Sequence, residues 1–343
     1  MLPRILPKSA RSLLPDTFTI ALVITLVSAS MFPARGVAVG WVGTAANVAI
    51  TLMFFLYGTK LAPSRVVGGL THWRLQSLIF VFTYVMFPIV GYAFLFVPVG
   101  LLSSTLVIGL VFLTLLPSTI QSSLAFTSIA GGNVPAAMCA ATLSNIVGTV
   151  LTPLLVALVL SLQGGTDPVA AISEIARLIV APFVAGQLLR PLFGGFVLRH
   201  AVLVAVTDRS SILLIVYGAF SRAVRQGLWS TVSVQELSTV FVLEGLLLGG
   251  MILSLRAASR WLGFSRSDEA AAVFCGAKKS LATGVPMAGV LFAPEQVGLI
   301  LLPVMLFHQI ELMTGAWLSR RYARDSVAAR KSEIDPPAIL RDA

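Results

Sequence analysis

The stretch FCGAKKSLATGVPMAGVLF, residues 274–292, decides the fold of this chain, because it places Lys278 and Lys279 side by side within an apolar run. Neighbours on a regular helix point about 100° apart, so both ammonium groups cannot face one cavity unless the helix unwinds. Gly276 and Pro286 favour such an unwound segment. The stretch therefore predicts a broken helix that carries two charges.

The composition of the whole chain places this stretch in a bilayer. Of 343 residues, 57% are hydrophobic and 11% are charged, and the mean hydropathy is +0.93, whereas soluble domains carry roughly 25% charged residues. These values exclude a disordered chain and most soluble enzymes. The apolar runs are long rather than alternating, which predicts an all-α membrane protein and not a β-barrel.

Each membrane span needs about 20 apolar residues, and the chain offers ten candidate spans, of which the fourth and ninth are interrupted by polar residues. They cover residues 17–33, 39–58, 75–97, 101–128, 134–161, 175–195, 208–226, 234–256, 268–292 and 296–318. The predicted organisation is a cytoplasmic N-terminal segment, two five-helix repeats and a disordered cytoplasmic tail, with bounds 1–16, 17–161, 162–320 and 321–343.

The basic residues predict the orientation. With both termini in the cytoplasm, eighteen of the 24 basic residues fall in inside segments and two lie within a span. Four fall outside, namely Arg35, Arg177, Arg222 and Arg225. This bias is the one expected for an integral protein of the plasma membrane, the inner membrane of a bacterium. It also assigns the net charge of +10 to the membrane, so no nucleic acid partner is expected.

The span count predicts internal symmetry. Five spans are an odd number, so a repeated five-span unit inserts in the opposite orientation the second time, as in inverted-repeat transporters. A short echo supports this interpretation: QSSLAFT at 121–127 and KKSLATG at 278–284 share Ser-Leu-Ala in the fourth span of each half.

The fourth span contains the first candidate site, PSTIQSS at residues 117–123. Pro117 removes a helical hydrogen bond, and the freed carbonyls with the nearby hydroxyls suit a small cation or a polar solute. Gln121, Ser122 and Ser123 are the candidate ligands. The alternative is a hydroxyl-lined contact between closely packed helices.

The ninth span contains the second candidate site, formed by Lys278, Lys279 and Ser280. A charge in the middle of a bilayer is costly and marks a functional site. The alternative is that residues 268–279 are the cytoplasmic end of the span, with both lysines at the interface.

Further candidates come from the remaining polar residues of the spans. Glu244 and Glu311 are the acidic residues that lie well inside spans rather than within three residues of an end, and either could neutralise the lysines or carry protons. The other candidates are Asn133, in a turn where it can also cap a helix, Ser144 and Asn145 on the fifth span, and His308, which could titrate or simply pack.

Four stretches together resemble the bile acid:sodium symporter family, in particular its YfeH-like branch, which includes the solute carrier family 10 member 7 proteins. They are AGGNVPAA at 130–137, LSNIVGTVLTPLL at 143–155, DRSSILLIVYGAFS at 208–221 and FCGAKKSLATGVPMAGVLF at 274–292. The resemblance covers nearly the whole chain. It implies ten helices in two inverted repeats, with a panel domain and a core domain in which helices 4 and 9 are broken and cross.

The resemblance also implies two sodium sites, and this sequence departs from both. Ser122 and Ser123 stand at a Ser-Asn pair of the first site, and Thr142 lies near one of its fifth-helix hydroxyls. Phe274 and Lys278 stand at a Glu and a Gln of the second site. Sodium on Ser122, Ser123 and Thr142 therefore remains the candidate ion, its coupling is doubtful, and no other cofactor is expected.

The leading functional hypothesis is a secondary transporter that moves a small organic anion by alternating access. Lys278 or Lys279 would replace a bound cation or bind the anion directly. The alternatives are a membrane regulatory protein related to calcium handling, and an ion/proton antiporter with the same crossed helices. Because no nucleophile elbow, P-loop or metal-ligand cluster occurs, an enzyme is not expected. The oligomeric state is left open.

Overall fold

The computed structural model describes residues 17–60, 72–98, 100–161 and 179–334. Within these ranges the elements are helices and no β-strand occurs, which confirms the predicted all-α class. The helices of the first part of the chain are α1 (Thr17–Met31), α2 (Val37–Lys60), α3 (Trp73–Phe96), α4 (Ser104–Leu115), α5 (Gln121–Ile129) and α6 (Val134–Ser161).

The second part of the chain is also helical, and its first described helix follows residues outside the described ranges. Its helices are α7 (Ala181–Leu188), α8 (Arg190–Arg199), α9 (Ala201–Arg225), α10 (Leu228–Thr231), α11 (Val234–Trp261), α12 (Arg266–Gly276), α13 (Leu281–Leu291) and α14 (Val297–Ile334).

Six of the described helices are long and apolar enough to cross a membrane: α2, α3, α6, α9, α11 and α14. The predicted interruptions explain part of the difference from ten. The fourth span divides into α4 and α5, of 12 and 9 residues, and the ninth into α12 and α13, of 11 residues each. Each piece alone is shorter than the hydrocarbon thickness requires.

The distribution of side chains is that of a protein in lipid. Large apolar side chains face outward, as with Trp41 at 73% exposure and Leu246 at 68%. Charged side chains lie inside, with Glu244 at 0%, Lys279 at 1% and Glu311 at 1% exposure. A water-soluble fold would bury the first kind and expose the second.

The helices pack as two groups. Helices α1, α2 and α8 contact α9, and α7 packs against α2 and α8, which completes the first group. A second group contains α3 to α6 and α11 to α14. The groups meet where α9 contacts α13 and α14 and where α2 contacts α13. Within the first group α2 and α7 touch through their backbones, because a Cβ on Gly58 would lie 2.1 Å from the Phe183 carbonyl oxygen and one on Gly186 2.1 Å from that of Phe55.

The prediction that a disordered tail begins at residue 321 is wrong for residues 321–334, which continue helix α14. Contacts with α12 explain the difference. The hydroxyl of Tyr322 donates a hydrogen bond of 2.5 Å to Oε1 of Glu269, and Arg266 donates one of 2.8 Å to Asp325. The polar side chains of Tyr322 and Asp325 therefore hold this part of α14 against α12. The predicted segments 1–16 and 335–343, and residues 162–178 of the second repeat, lie outside the described residues.

Candidate functional site

The candidate site lies where the two broken helices contact each other. Residues 116–120 separate α4 from α5, and residues 277–280 separate α12 from α13. The backbone N–H of Ser280 donates a 2.7 Å hydrogen bond to the Pro117 carbonyl, and the Ser118 hydroxyl donates one of 2.5 Å to the Cys275 carbonyl. The two breaks predicted separately from the sequence are thus one structural unit.

Side chains of α6 satisfy the backbone groups that the first break leaves without helical partners. The Ser118 N–H donates to Oγ of Ser144 over 3.0 Å, and the Ser118 carbonyl accepts from Nδ2 of Asn145 over 2.7 Å. The Thr152 hydroxyl donates to the Leu115 carbonyl over 2.7 Å. Because unpaired backbone groups are expensive away from water, this polar stripe on α6 makes the break stable.

Asn145 also joins the first break to the second. Its Oδ1 accepts a 3.0 Å hydrogen bond from the hydroxyl of Thr283, on the first turn of α13. Ser280 is the N-cap of α13, where its Oγ accepts from the Thr283 N–H over 3.2 Å. The structure therefore brings three sequence-predicted residues together, Ser144, Asn145 and Ser280, as supports of the breaks.

Lys279 fills the centre of this unit. Its ammonium donates hydrogen bonds to three backbone carbonyls: Thr83 over 2.9 Å, Thr114 over 2.7 Å and Leu116 over 2.8 Å. The ammonium also lies 4.2 Å from the ring centroid of Phe87. An ammonium has three donors, so the donors of Lys279 are all used. Two of the carbonyls belong to the C-terminal end of α4, where the helix dipole favours a cation.

The third carbonyl, that of Thr83, is free because α3 contains a π-helical segment, Phe82–Met86. There the N–H of Phe87 bonds to the Phe82 carbonyl rather than to that of Thr83. The next residue, Pro88, has no N–H to offer. The Thr83 carbonyl thus has no partner in its own helix and accepts from Lys279. This contribution of α3 was not predicted from the sequence, although Pro88 inside an apolar span is its visible signal.

Lys278 points into a different environment from its neighbour. Its Nζ lies 3.0 Å from Oγ of Ser122 and 4.3 Å from the ring centroid of Phe126, both on α5. It lies 3.9 Å from Oε1 of Glu311 on α14. Lys278 is 3% exposed and Lys279 is 1% exposed, so neither side chain extends outward from the protein, and the unwound segment lets both be buried.

Glu311 is the carboxylate that accompanies the lysines. Its Oε2 accepts a 3.0 Å hydrogen bond from the backbone N–H of Lys279, and its Oε1 lies 3.2 Å from Nδ1 of His308. The other acidic candidate, Glu244, is fully buried on α11, and neither of its oxygens has a hydrogen-bond partner among the described residues. Of the two carboxylates that the sequence left open, Glu311 is therefore the one beside Lys278 and Lys279.

The remaining candidates lie at the edge of the site or away from it. Gln121 is the first residue of α5 and is exposed, Ser123 is fully buried with its hydroxyl 3.3 Å from that of Thr119, and Thr142 is half-buried on α6. Asn133 donates to Oδ1 of Asp268 over 2.8 Å and accepts from the Ala136 N–H over 3.1 Å. Asp268 precedes Lys278 by ten residues, about 15 Å along a helix, so these contacts hold Asn133 in its structural turn.

Comparison with known proteins agrees with the resemblance drawn from the sequence. The model of the SBF-like CPA transporter family matches residues 16–324. "Uncharacterized protein PA2026" of Pseudomonas aeruginosa is 47% identical over 326 residues, which are 93% of this chain and 97% of that protein. "Putative symporter YfeH" of Escherichia coli is 42% identical over 311 residues, 91% and 94% of the two chains. "Sodium/bile acid cotransporter 7" of Rattus norvegicus is 27% identical over 309 residues, 88% and 91% of the two chains.

Proposed function

Since this chain belongs to the SBF-like CPA transporter family, we propose that it is a secondary active transporter that carries an organic anion across the bilayer by alternating access. The family is one of transporters and not of enzymes, and the chain is an integral membrane protein. What we propose is the class of the substrate, the ion coupling of transport and the orientation of the chain in the membrane.

The observation that supports an anion is the charge of the buried site. Lys278 and Lys279 are paired with one carboxylate, Glu311, which leaves one positive charge in excess. Helices α5 and α13 both begin at the breaks, so their positive dipole ends lie at the same place. A buried excess charge is costly until an opposite charge joins it. An anion bound to Lys278, beside Ser122, would supply that charge.

The arrangement of the broken helices supports the transport mechanism. We propose ten transmembrane helices in two inverted five-helix repeats. The fourth transmembrane helix (α4 with α5) and the ninth (α12 with α13) cross at the site. The group around α9 is the panel and the other group is the core. Both termini lie in the cytoplasm. The membrane is the inner membrane of a bacterium, because the relatives YfeH and PA2026 come from bacteria. If the core group moves against the panel group, a site carried by the core group can be exposed alternately to each side of the membrane.

Sodium is not part of this proposal, because the residues present do not fit it. Of the three hydroxyls expected to hold sodium, that of Ser122 accepts from the ammonium of Lys278, and that of Ser123 lies 3.3 Å from the Thr119 hydroxyl. The carbonyls that converge at the crossing of the breaks accept from Lys279. These two places therefore already hold a tethered cation, and a second cation there would be repelled at close range.

Uptake into proteoliposomes tests the proposal. The purified protein is reconstituted, and uptake of tritiated taurocholate and of labelled succinate is measured in choline buffer and in sodium buffer. We expect saturable uptake of at least one of these anions, at the same rate in both buffers. Lys278→Gln is expected to lower that uptake at least tenfold.

Two results would overturn this proposal. Absence of saturable uptake of both anions would favour the regulatory alternative. Uptake that requires sodium would contradict the replacement of the metal ion by lysine.

A further inference from the structure

We infer that this structure is the state closed toward the outer side of the membrane, and that the contact of Gly298 with α9 is the gate that closes it. The inference rests on the proposed alternating access and on the proposed orientation of the chain. It adds the side to which the site is shut and the residue on which closure depends.

The main contacts between the panel group and the core group lie in one half of the molecule. They join α9 to α13 and α14, and α2 to α13. Helix α13 leads away from the break at residues 277–280 and ends at Leu291, and α14 begins at Val297. Contacts with α13 and with the beginning of α14 therefore lie between the level of the breaks and one end of the molecule. Helix α9 ends there at Arg225, which is the outer end in the proposed orientation.

The contact at Gly298, on the first turn of α14, is the closest between the two groups. A Cβ on Gly298 would lie 2.6 Å from the Cβ of Ala223 and 3.1 Å from the carbonyl oxygen of Ala219, both on α9. Ala219 is 1% exposed and Ala223 is 2% exposed. A space that does not admit one methyl group does not admit a solute, so the two groups are shut at this point.

The closure continues along α13 toward the break. A Cβ on Gly289 would lie 3.1 Å from Cδ1 of Ile50 on α2 and 3.8 Å from Cγ2 of Ile215 on α9. Nearer the break, the hydroxyl of Tyr57 donates a 3.5 Å hydrogen bond to the carbonyl of Ala282, on the first turn of α13. Side chains of the panel group therefore contact α13 at its first turn and again near its end.

The other half of the molecule is arranged differently. Helix α12 packs against α3, α5, α6 and α11, and α5 packs against α6, α12 and α14, which are all helices of their own group. On the panel group, Lys60 lies 5.6 Å from the ring centroid of Tyr57 and forms an ion pair with Asp208. The side chains of this pair are 34% and 17% exposed. The panel surface thus becomes charged and exposed just beyond its last contact with α13, as expected for the wall of a water-filled opening.

A larger residue at position 298 should oppose the closed state alone. Alternating access requires the two groups to separate at the outer end, and there α9 and α14 would no longer touch. Gly109 on α4 provides the contrast. A Cβ on Gly109 would lie 2.7 Å from the carbonyl oxygen of Ile300, two residues after Gly298 on α14. Because α4 and α14 belong to the same group, Gly109→Ala strains both states alike and should not change their ratio.

The reactivity of an introduced cysteine tests the gate without any transported solute. Ala282→Cys is made in a chain with Cys139→Ala and Cys275→Ala, so that its thiol is the one available. The impermeant reagent 2-sulfonatoethyl methanethiosulfonate is added to spheroplasts, which present the outer face, or to inside-out vesicles, which present the cytoplasmic face. We expect modification in the vesicles and at least tenfold slower modification in the spheroplasts.

Gly298→Ala in this chain should raise the rate of modification in spheroplasts at least tenfold and lower the rate in vesicles. An added methyl group that destabilises one of two states shifts their populations by factors of this size. Gly109→Ala should leave the ratio of the two rates unchanged. Fast modification in spheroplasts without Gly298→Ala, or the same ratio for Gly298→Ala and Gly109→Ala, overturns the inference.

A disulfide across the closed surface provides the second measurement and does not depend on the folding of Gly298→Ala. Ile215→Cys and Gly289→Cys, with the two native cysteines replaced by alanine, place two thiols where α9 and α13 meet. Oxidation with copper phenanthroline should join them and lower taurocholate uptake into proteoliposomes at least tenfold, and reduction should restore the uptake. Uptake that persists with the disulfide formed, or failure of the disulfide to form, overturns the inference.

The outcomes separate the gate from the proposed function. Absence of saturable anion uptake by wild type overturns anion transport, whereas the reactivity of Ala282→Cys still decides to which side the site is closed. Saturable uptake together with equal reactivity from both sides overturns the gate and leaves anion transport standing.

Discussion

The ammonium nitrogen of Lys279 lies 2.9 Å from the carbonyl oxygen of Thr83, and the carbonyl is available because α3 contains a π-helical turn ahead of Pro88. Pro88, which would weaken an ordinary helix, thus leaves the Thr83 carbonyl available to the buried ammonium of Lys279. Helix α3 is thereby tied to both breaks. The local defect in α3 and the buried charge of Lys279 stabilise each other.

Lys279 is expected to be essential for folding. Lys279→Met leaves three buried carbonyls without donors, and each such group costs roughly 1–3 kcal/mol. The thermal unfolding midpoint in detergent should fall by many degrees, or the protein should fail to fold. Lys278→Met is the matched variant: Lys278 makes one side-chain hydrogen bond, so its loss should lower the midpoint far less. Equal midpoints for the two variants would contradict the role assigned to Lys279.

Replacing Pro88 should not give the gain in stability that usually follows removal of a proline from a helix. Pro88→Ala restores an N–H that can bond to carbonyls of the π segment and compete with Lys279 for Thr83. We expect no rise in the unfolding midpoint and a several-fold loss of uptake. Pro153→Ala in α6 is the control, where removal of an in-helix proline should be neutral or stabilising by up to about 3 kcal/mol. A Pro88→Ala variant that is both more stable and fully active would rule out this role of the π segment.

Replacing Asn145 should lower the free energy of unfolding more than replacing Thr149, another polar residue on α6. Asn145 forms hydrogen bonds with Ser118 in the first break and with Thr283, which follows the second break. Asn145→Ala removes these hydrogen bonds, worth roughly 1 kcal/mol each, and leaves the buried Ser118 carbonyl without this donor. The hydroxyl of Thr149 bonds to a carbonyl of its own helix, and Thr149→Ala should cost under about 1 kcal/mol. Chemical unfolding of both variants measures this difference. Similar losses would mean that Asn145 does not join the two breaks.

The contact between α2 and α7 should not tolerate a single added methyl group. Gly58→Ala would place a Cβ 2.1 Å from the Phe183 carbonyl oxygen, which forces the helices apart and should cost about 1–3 kcal/mol or more. Gly245→Ala on α11 has nothing within 4 Å of its Cβ and should be neutral or slightly stabilising. Thermal unfolding of the two variants is the measurement. A tolerated Gly58→Ala would show that the backbones of these helices do not touch.

The sequence predicted where the two helices break better than it predicted which residues contact the breaks and the lysines. The polar run at 117–123 and the pair Lys278–Lys279 gave the positions of both breaks, because prolines, hydroxyls and charges are costly in an apolar span unless the helix is interrupted around a polar site. The choice between Glu244 and Glu311 could not be made, since either carboxylate lies within a span and only packing shows which faces the lysines.

The sequence indicated freed carbonyls at the Pro117 break but not the backbone acceptor on α3. A carbonyl such as that of Thr83 is present at every position, and its release depends on how the helix accommodates Pro88. The helical continuation to residue 334 was missed for a related reason. The polar residues after Arg320 resemble a tail in composition, and the bonds of Tyr322 and Asp325 to α12 form only when the helices are packed.

Equilibrium binding of tritiated taurocholate to the purified protein in sodium-free buffer is the most direct test of a cationic site that needs no metal ion. We predict saturable binding by wild type that sodium does not strengthen. We also predict a dissociation constant at least tenfold higher for folded Lys278→Gln, equivalent to about 1.4 kcal/mol. Binding that requires sodium, or that Lys278→Gln leaves unchanged, would contradict a site in which lysine takes the place of the metal ion.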